Sequence, residues 1–164
     1  MKLQPLKQWI CDGCGKIIKD IEDGYIEYIE GVEGNHYKAK DFRIVHHASK
    51  SPKKPDGNCY KYEKTGTWNT IALSEFVGNN GLAQLLTLID IGPIHSPQFS
   101  GPHVQDLREW TDFCRRLHFP YYEEARLHWE NAQADGYFDG KNEVAIYLPE
   151  TLKALINIYE ARNE

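Results

Sequence analysis

Three cysteines and a pair of histidines in the first sixty residues have the types and spacing to hold a metal ion. Cys11 and Cys14 form a Cys-x-x-Cys turn, and Cys59 follows at a distance. His46 and His47 are adjacent at the end of a β-rich segment. Thiolate and imidazole are the ligands that Zn²⁺ prefers, and a Cys-x-x-Cys turn supplies two neighbouring corners of a tetrahedron. The sequence therefore predicts a Zn²⁺ site made by the three cysteines and one histidine.

Strand alternation bears on the choice between His46 and His47. In a strand over residues 42–47, His46 falls on the face of Phe42 and Ile44, which we expect to be buried. His47 falls on the opposite face, but strand ends often bulge, so it stays an alternative ligand. The pattern favours His46.

The predicted ligand set is closed, because four protein ligands leave no position for an activating water. We therefore expect a structural metal rather than a catalytic one. The fourth cysteine, Cys114, lies among apolar residues in a predicted helix and is interpreted as a plain core thiol. Disulfides and a thioredoxin-like redox motif are disfavoured, since histidines accompany the cysteines and no βαβ pattern surrounds them.

The secondary structure that must position this site is predicted to change from strands to helices along the chain. Up to residue 66 the sequence is β-rich, with runs at 17–18, 25–29 and 42–47, and Glu22-Asp23-Gly24 predicts a hairpin turn between the first two runs. After Trp68 the apolar residues recur with helical spacing. We expect helices around residues 80–89, from Val104 to His118, from Pro120 to Ala134 and from Pro149 onward, with residues 144–147 extended. The predicted class is α+β: a small zinc-stapled antiparallel β module, 1–66, then a helical module of about four helices, 67–164.

The first module resembles the zinc-ribbon and treble-clef class of zinc-binding modules. Cys11, Cys14, Gly15 and Cys59 carry the resemblance. The chain departs from that class by replacing a second Cys-x-x-Cys with Cys59 and a distant histidine. The resemblance implies metal binding, and by analogy a docking role toward nucleic acid or protein.

The charge distribution indicates where a partner would bind. The chain has a net charge of −5, but residues 36–64 carry eight Lys or Arg against three acids. Lysines in the loop at 49–62 could contact phosphates, and nearby rings could stack on bases. The candidate nucleic-acid-binding residues are Lys50, Lys53, Lys54, Tyr60, Lys61 and Tyr62. The alternative interpretation is a solvated loop whose aromatic residues pack the β core. From this we expect a non-catalytic binding or regulatory protein linked to nucleic acid.

Two other functions stay open. The acidic, aromatic-rich helical module could bind a protein partner, as an adaptor or inhibitor. An enzyme is the third hypothesis, in which Glu124 and His128, one helical turn apart, share a proton. We expect no small-molecule substrate, since no nucleophile elbow, phosphate-binding loop or dinucleotide motif occurs. The absence of a long apolar run and of a secretory signal predicts a cytoplasmic protein that does not enter a membrane.

Overall fold

The computed structural model describes residues 2–33, 36–90, 92 and 103–162. Its strands are β1 (Trp9–Ile10), β2 (Ile17–Ile18), β3 (Gly24–Glu33), β4 (His36–His46) and β5 (Trp68–Ala72). Its helices are α1 (Gly78–Thr87), α2 (Leu107–His118), α3 (Tyr122–Ala125), α4 (Trp129–Ala134), α5 (Glu143–Ile146) and α6 (Pro149–Ala161). Small antiparallel sheets followed by helices confirm the predicted α+β class.

The strands form two sheets. β1 and β2 pair with each other, and β3 lies between β4 and β5 in an antiparallel sheet of three strands. The predicted hairpin at residues 22–24 is wrong. Ile17 pairs with Ile10 instead, and Ile21–Asp23 forms a 3₁₀ turn that Asp20 caps through the Glu22 amide. This pairing closes a tight loop, residues 11–16, that contains both cysteines of the Cys-x-x-Cys turn.

A β-bulge in β4 directs one large ring into the core. Glu27 pairs with Arg43 but Ile29 pairs with Lys40, so one residue of β3 faces two residues of β4. Asp41 in the bulge has a φ of 57°. Bulges bend a strand and redirect its side chains. Phe42, the other residue of the bulge, packs inward, with its ring centroid 5.1 Å from that of Trp110 and 5.0 Å from that of Phe113.

Helix α2 covers the three-stranded sheet. Its N-cap is Asp106, whose carboxylate accepts from the amides of Arg108 and Glu109. The predicted start at Val104 is wrong, because Val104 forms a parallel bridge with Ala39 of β4. The helix buries Trp110, Phe113 and Leu117 against the sheet.

The later helices differ from the prediction in two places. The helix expected from Pro120 to Ala134 is interrupted, since a 3₁₀ turn at Arg126–His128 separates α3 from α4. Residues 143–146 are helical rather than extended, because Asn142 caps the amides of Val144 and Ala145. Helix α6 begins at Pro149, as predicted.

Two apolar clusters hold the chain together. The larger one joins β1–β4 to the buried residues of α2, and the smaller one joins α3, α4 and α6. Apolar packing therefore crosses the predicted boundary at residue 66, and the division into a β module, 1–66, and a helical module, 67–164, stays a prediction. In the described part of the chain, no helix has both the length and the apolar character needed to cross a membrane.

Candidate metal centre

Four side chains from three parts of the chain converge beside β4. The sulfur atoms of Cys11, Cys14 and Cys59 and a ring nitrogen of His46 all lie within 4.8 Å of one another. Nδ1 of His46 is 3.6 Å from Sγ of Cys14 and 4.0 Å from Sγ of Cys59. Around a tetrahedral Zn²⁺ with bonds of about 2.3 Å to sulfur and 2.0 Å to nitrogen, the nitrogen would be about 3.5 Å from each sulfur, and the sulfurs about 3.8 Å from one another. The four residues could therefore hold one metal ion after small side-chain adjustments.

Backbone amides from the loop between β1 and β2 and from the end of β4 are directed at the Cys11 sulfur. Gly13 N and His46 N each lie 3.4 Å from Sγ of Cys11. The turn is closed by Gly15 N donating to the Cys11 carbonyl, and Gly15 has a φ of 71° that favours glycine. A Cβ on Gly13 would lie 2.3 Å from the Cys59 carbonyl oxygen. Gly13 therefore permits the close approach of the two cysteine-bearing segments.

The structure separates the two adjacent histidines. His46 is buried at the end of β4, and its ring also hydrogen-bonds to the backbone of Ile17. A carbonyl partner for the second ring nitrogen is usual for a metal-binding histidine, because it fixes the ring orientation. His47 lies outside the cluster. It caps the next 3₁₀ turn through Ser49, and its ring packs against Tyr25 at 4.6 Å.

Cys59 reaches the cluster from the loop after β4. Its sulfur contacts the buried hydroxyl of Ser51 at 3.2 Å. Beyond it, the amides of Lys61 and Tyr62 both donate to one oxygen of Glu27, at 2.8 Å. The buried Glu27 carboxylate in β3 therefore fixes the chain two residues after the cysteine.

A buried ion network connects the Cys-x-x-Cys turn to the helices. Asp12 lies between the two cysteines, and its carboxylate accepts from Arg116 of α2 at 2.8 and 3.1 Å and from Ile44 N at 2.8 Å. Glu123 of α3 accepts from Arg116 and Arg126. Because Arg116 bonds both carboxylates, the turn, α2 and α3 share one network. Sequence reasoning missed Asp12, Arg116 and Glu123, because the pair of Asp12 and Arg116 joins residues 104 positions apart and has no local signal.

Burial controls the protonation of the candidate ligands. It raises the pKa of the Cys11 thiol to about 12, although hydrogen bonds from His46 N and Gly13 N oppose the shift. Burial also lowers the pKa of His46. Both shifts favour the neutral groups, since a buried charge without a partner is costly. A divalent cation would supply that partner, so metal binding here must displace thiol protons.

The basic loop divides into exposed lysines and packed rings. Lys53, Lys54 and Lys61 are exposed, and Lys50 forms an ion pair with Asp23 at 3.1 Å. Tyr62 is buried, with Lys61 5.2 Å from its ring centroid. Tyr60 is half-buried, and its ring lies 5.3 Å from that of Trp68. The lysines can reach a partner, but the two tyrosine rings belong to the packing of the β module.

The structure also shows where the residues of the enzyme and adaptor hypotheses lie. Glu124 is buried and accepts from Leu3 N, while His128 stacks on Tyr159. Among the described residues, the three cysteines and His46 form the only group of three or more potential metal ligands. In the helical part, the rings of Trp110 and Tyr122 are buried, so they pack the core rather than form an exposed surface.

Burial also raises the pKa of Cys114, to about 11. Its half-buried thiol packs beside the larger core cluster, away from the other three cysteines.

No family model matches the chain, and no curated protein or solved structure shows significant similarity to it.

Proposed function

We propose that the cluster is a structural Zn²⁺ site and that the protein is a zinc-stabilised, non-catalytic binding protein. The observation that carries this proposal is the convergence of three cysteine sulfurs and one imidazole nitrogen within 4.8 Å. Thiolate-rich tetrahedral sets select Zn²⁺ or iron–sulfur chemistry, and the histidine with three cysteines matches structural zinc sites. Four protein ligands leave no open position for water, so the ion stabilises the fold.

Metal analysis of the purified protein tests the structural site. We expect one zinc per chain in the wild type and in Cys114→Ala, whose thiol is outside the cluster. Cys59→Ser should lose stoichiometric zinc and unfold at lower urea concentration. Loss of zinc in both variants, or a chelator that removes zinc without changing stability, would contradict the structural role.

We further propose that the loop at 49–62 binds nucleic acid through its phosphates. His46 precedes this loop and Cys59 lies within it, so a metal ion would hold both ends of the segment that carries Lys50, Lys53 and Lys54. Lys53 and Lys54 are exposed on it. Because Tyr60 and Tyr62 pack against the β module, the expected contacts are electrostatic and independent of sequence.

Salt-dependent binding tests the nucleic-acid proposal. Affinity for a labelled duplex should fall steeply between about 50 and 200 mM salt, and Lys53→Glu with Lys54→Glu should reduce the slope of log affinity against log salt by about 2. The matched control is Lys7→Glu with Lys19→Glu, two exposed lysines outside the loop. Equal slopes for the two double variants, or no binding at low salt, would refute the proposal.

A second candidate function, a protein-interaction adaptor, is favoured by one exposed apolar face. Leu82 and Leu86 of α1 are one helical turn apart and are 51% and 57% exposed. Exposed apolar pairs at this spacing can form a helix interface. If this face binds a second copy, sedimentation should show a concentration-dependent dimer that Leu82→Glu abolishes. A wild-type protein that stays monomeric would count against this face.

A further inference from the structure

An apolar groove outside the metal centre lies between the C-terminal half of α2 and the junction of α5 and α6. Its volume is about 710 Å³, within the range of about 300–1,000 Å³ that is usual for small-molecule sites. The apolar residues that line it include Cys114, Phe119, Val144, Tyr147 and Leu148. Val144 is 71% exposed and Phe119 39%. A ligand in the groove would cover apolar side chains that otherwise face water.

Arg115 is a cationic residue of the groove whose surroundings favour binding of an anion. The guanidinium of Arg115 lies 3.9 Å from the ring centroid of Tyr147. Within the described part of the chain Arg115 forms no ion pair, and Asp112, one turn earlier, is hydrogen-bonded by the Tyr122 hydroxyl. When a ring covers its face, a guanidinium still presents N–H donors along its edge, in the fork geometry that matches a carboxylate.

We propose that this groove binds a small carboxylic acid with an apolar body. The carboxylate would pair with the edge of Arg115, and the body would lie along Phe119, Val144 and Leu148. A neutral ligand would leave the guanidinium desolvated and without a partner, which is unfavourable. A cation would be repelled by Arg115. Glu143, the one acidic residue among those that line the groove, disfavours ligands with more than one negative charge.

The site goes beyond the proposed function and does not depend on it. Its residues belong to the helical part of the chain, and none is a candidate metal ligand or part of the basic loop. No small-molecule substrate is expected from the sequence, and a bound acid here would be a ligand that stabilises the groove. An experiment can therefore refute the binding of the acid without refuting the binding of nucleic acid, and the reverse also holds.

Calorimetric titration of the full-length protein with decanoate tests the proposal, below the concentration at which decanoate forms micelles. Decylamine is the matched probe, because it has the same alkyl chain with the opposite charge. We expect one decanoate per chain and binding of decylamine at least tenfold weaker. Arg115→Gln should weaken decanoate binding at least about tenfold, which is the loss expected for one charge-assisted hydrogen-bonded pair.

Two further variants keep the test independent of folding defects. Val144→Asp places a negative charge at an exposed position of the groove, and should weaken decanoate binding without unfolding the protein. Arg108→Gln is the matched control, since Arg108 is exposed on the same helix two turns before Arg115 and does not line the groove. It should bind decanoate like the wild type. Equal affinity for decanoate and decylamine, unchanged binding by both groove variants, or no decanoate binding would overturn the proposal.

Discussion

Glu27 is a buried carboxylate in the central strand β3, and its replacement by glutamine tests how the sheet holds the segment after Cys59. One carboxylate oxygen accepts from the amides of Lys61 and Tyr62, both at 2.8 Å, and the other accepts from Arg43 at 2.6 Å. Glutamine keeps the size of the side chain but replaces one acceptor with a donor. The amide oxygen can keep the two backbone bonds, so the NH₂ group faces the guanidinium.

The loss of the ion pair between Glu27 and Arg43 determines how much Glu27→Gln lowers the free energy of unfolding. Removing one member of a buried ion pair costs about 3–5 kcal/mol, because the remaining charge is left without a partner. The Arg43 side chain is 15% exposed and also donates to the Asp12 carbonyl, so part of its charge stays solvated or bonded. We therefore expect Glu27→Gln to lower the free energy of unfolding by about 3 kcal/mol, the low end of that range.

Removing both charges should cost less than the two single changes together. In a double-mutant cycle of Glu27→Gln and Arg43→Met, we expect a coupling of about 2 kcal/mol, since contacting ionised groups couple by about 0.5–3 kcal/mol. Because Lys61 lies two residues after Cys59, Glu27→Gln should also weaken zinc binding in competition with a chelator.

Urea unfolding of the zinc-loaded protein measures these free energies. Glu30→Gln is the matched control: it lies on the same strand and is partly exposed, so its change should stay within about 0.5 kcal/mol. A loss below about 1 kcal/mol for Glu27→Gln, or additive effects in the cycle, would refute this interpretation of the buried pair.

Two further predictions concern the Cys-x-x-Cys turn and the ion network. Gly13→Ala should weaken zinc binding, because its Cβ would meet the Cys59 carbonyl oxygen at 2.3 Å, whereas Gly31→Ala meets no atom within 4 Å and should bind zinc normally in the same chelator competition. Burial alone would raise the pKa of Glu123, but the charges and hydrogen bonds of Arg116 and Arg126 together outweigh burial and leave the pKa below its ordinary value of 4.5. The ionised carboxylate therefore stabilises the fold above that pH. The stability difference between wild type and Glu123→Gln should be full near neutral pH and shrink as the pH falls through the lowered pKa; a difference that does not change with pH would contradict this sign.

Local patterns predicted the parts of the site that depend on short stretches of chain. The Cys-x-x-Cys spacing identified Cys11 and Cys14, because such a turn by itself places two sulfurs together. Strand alternation favoured His46, and β4 runs through that residue with Phe42 and Ile44 also buried. The α+β class followed from the change of apolar period near Trp68.

Features that depend on distant residues could not be predicted from such patterns. Asp12 and Arg116 are 104 residues apart, and neither has a neighbour in sequence that indicates the pair. The groove around Arg115 exists only because α5 and α6 pack beside α2. The wrong hairpin at residues 22–24 has a different, local cause, since Ile17 pairs with Ile10, seven residues earlier, across the turn that holds the cysteines.

X-ray absorption at the zinc edge of the purified protein tests the central claim most directly. The proposed ligand set predicts three sulfur atoms at about 2.3 Å and one nitrogen atom at about 2.0 Å from the metal. The nitrogen should be lost in His46→Ala and kept in His47→Ala, because His47 lies outside the cluster. A shell of oxygen atoms, or a nitrogen lost only in the His47 variant, would contradict the proposed site.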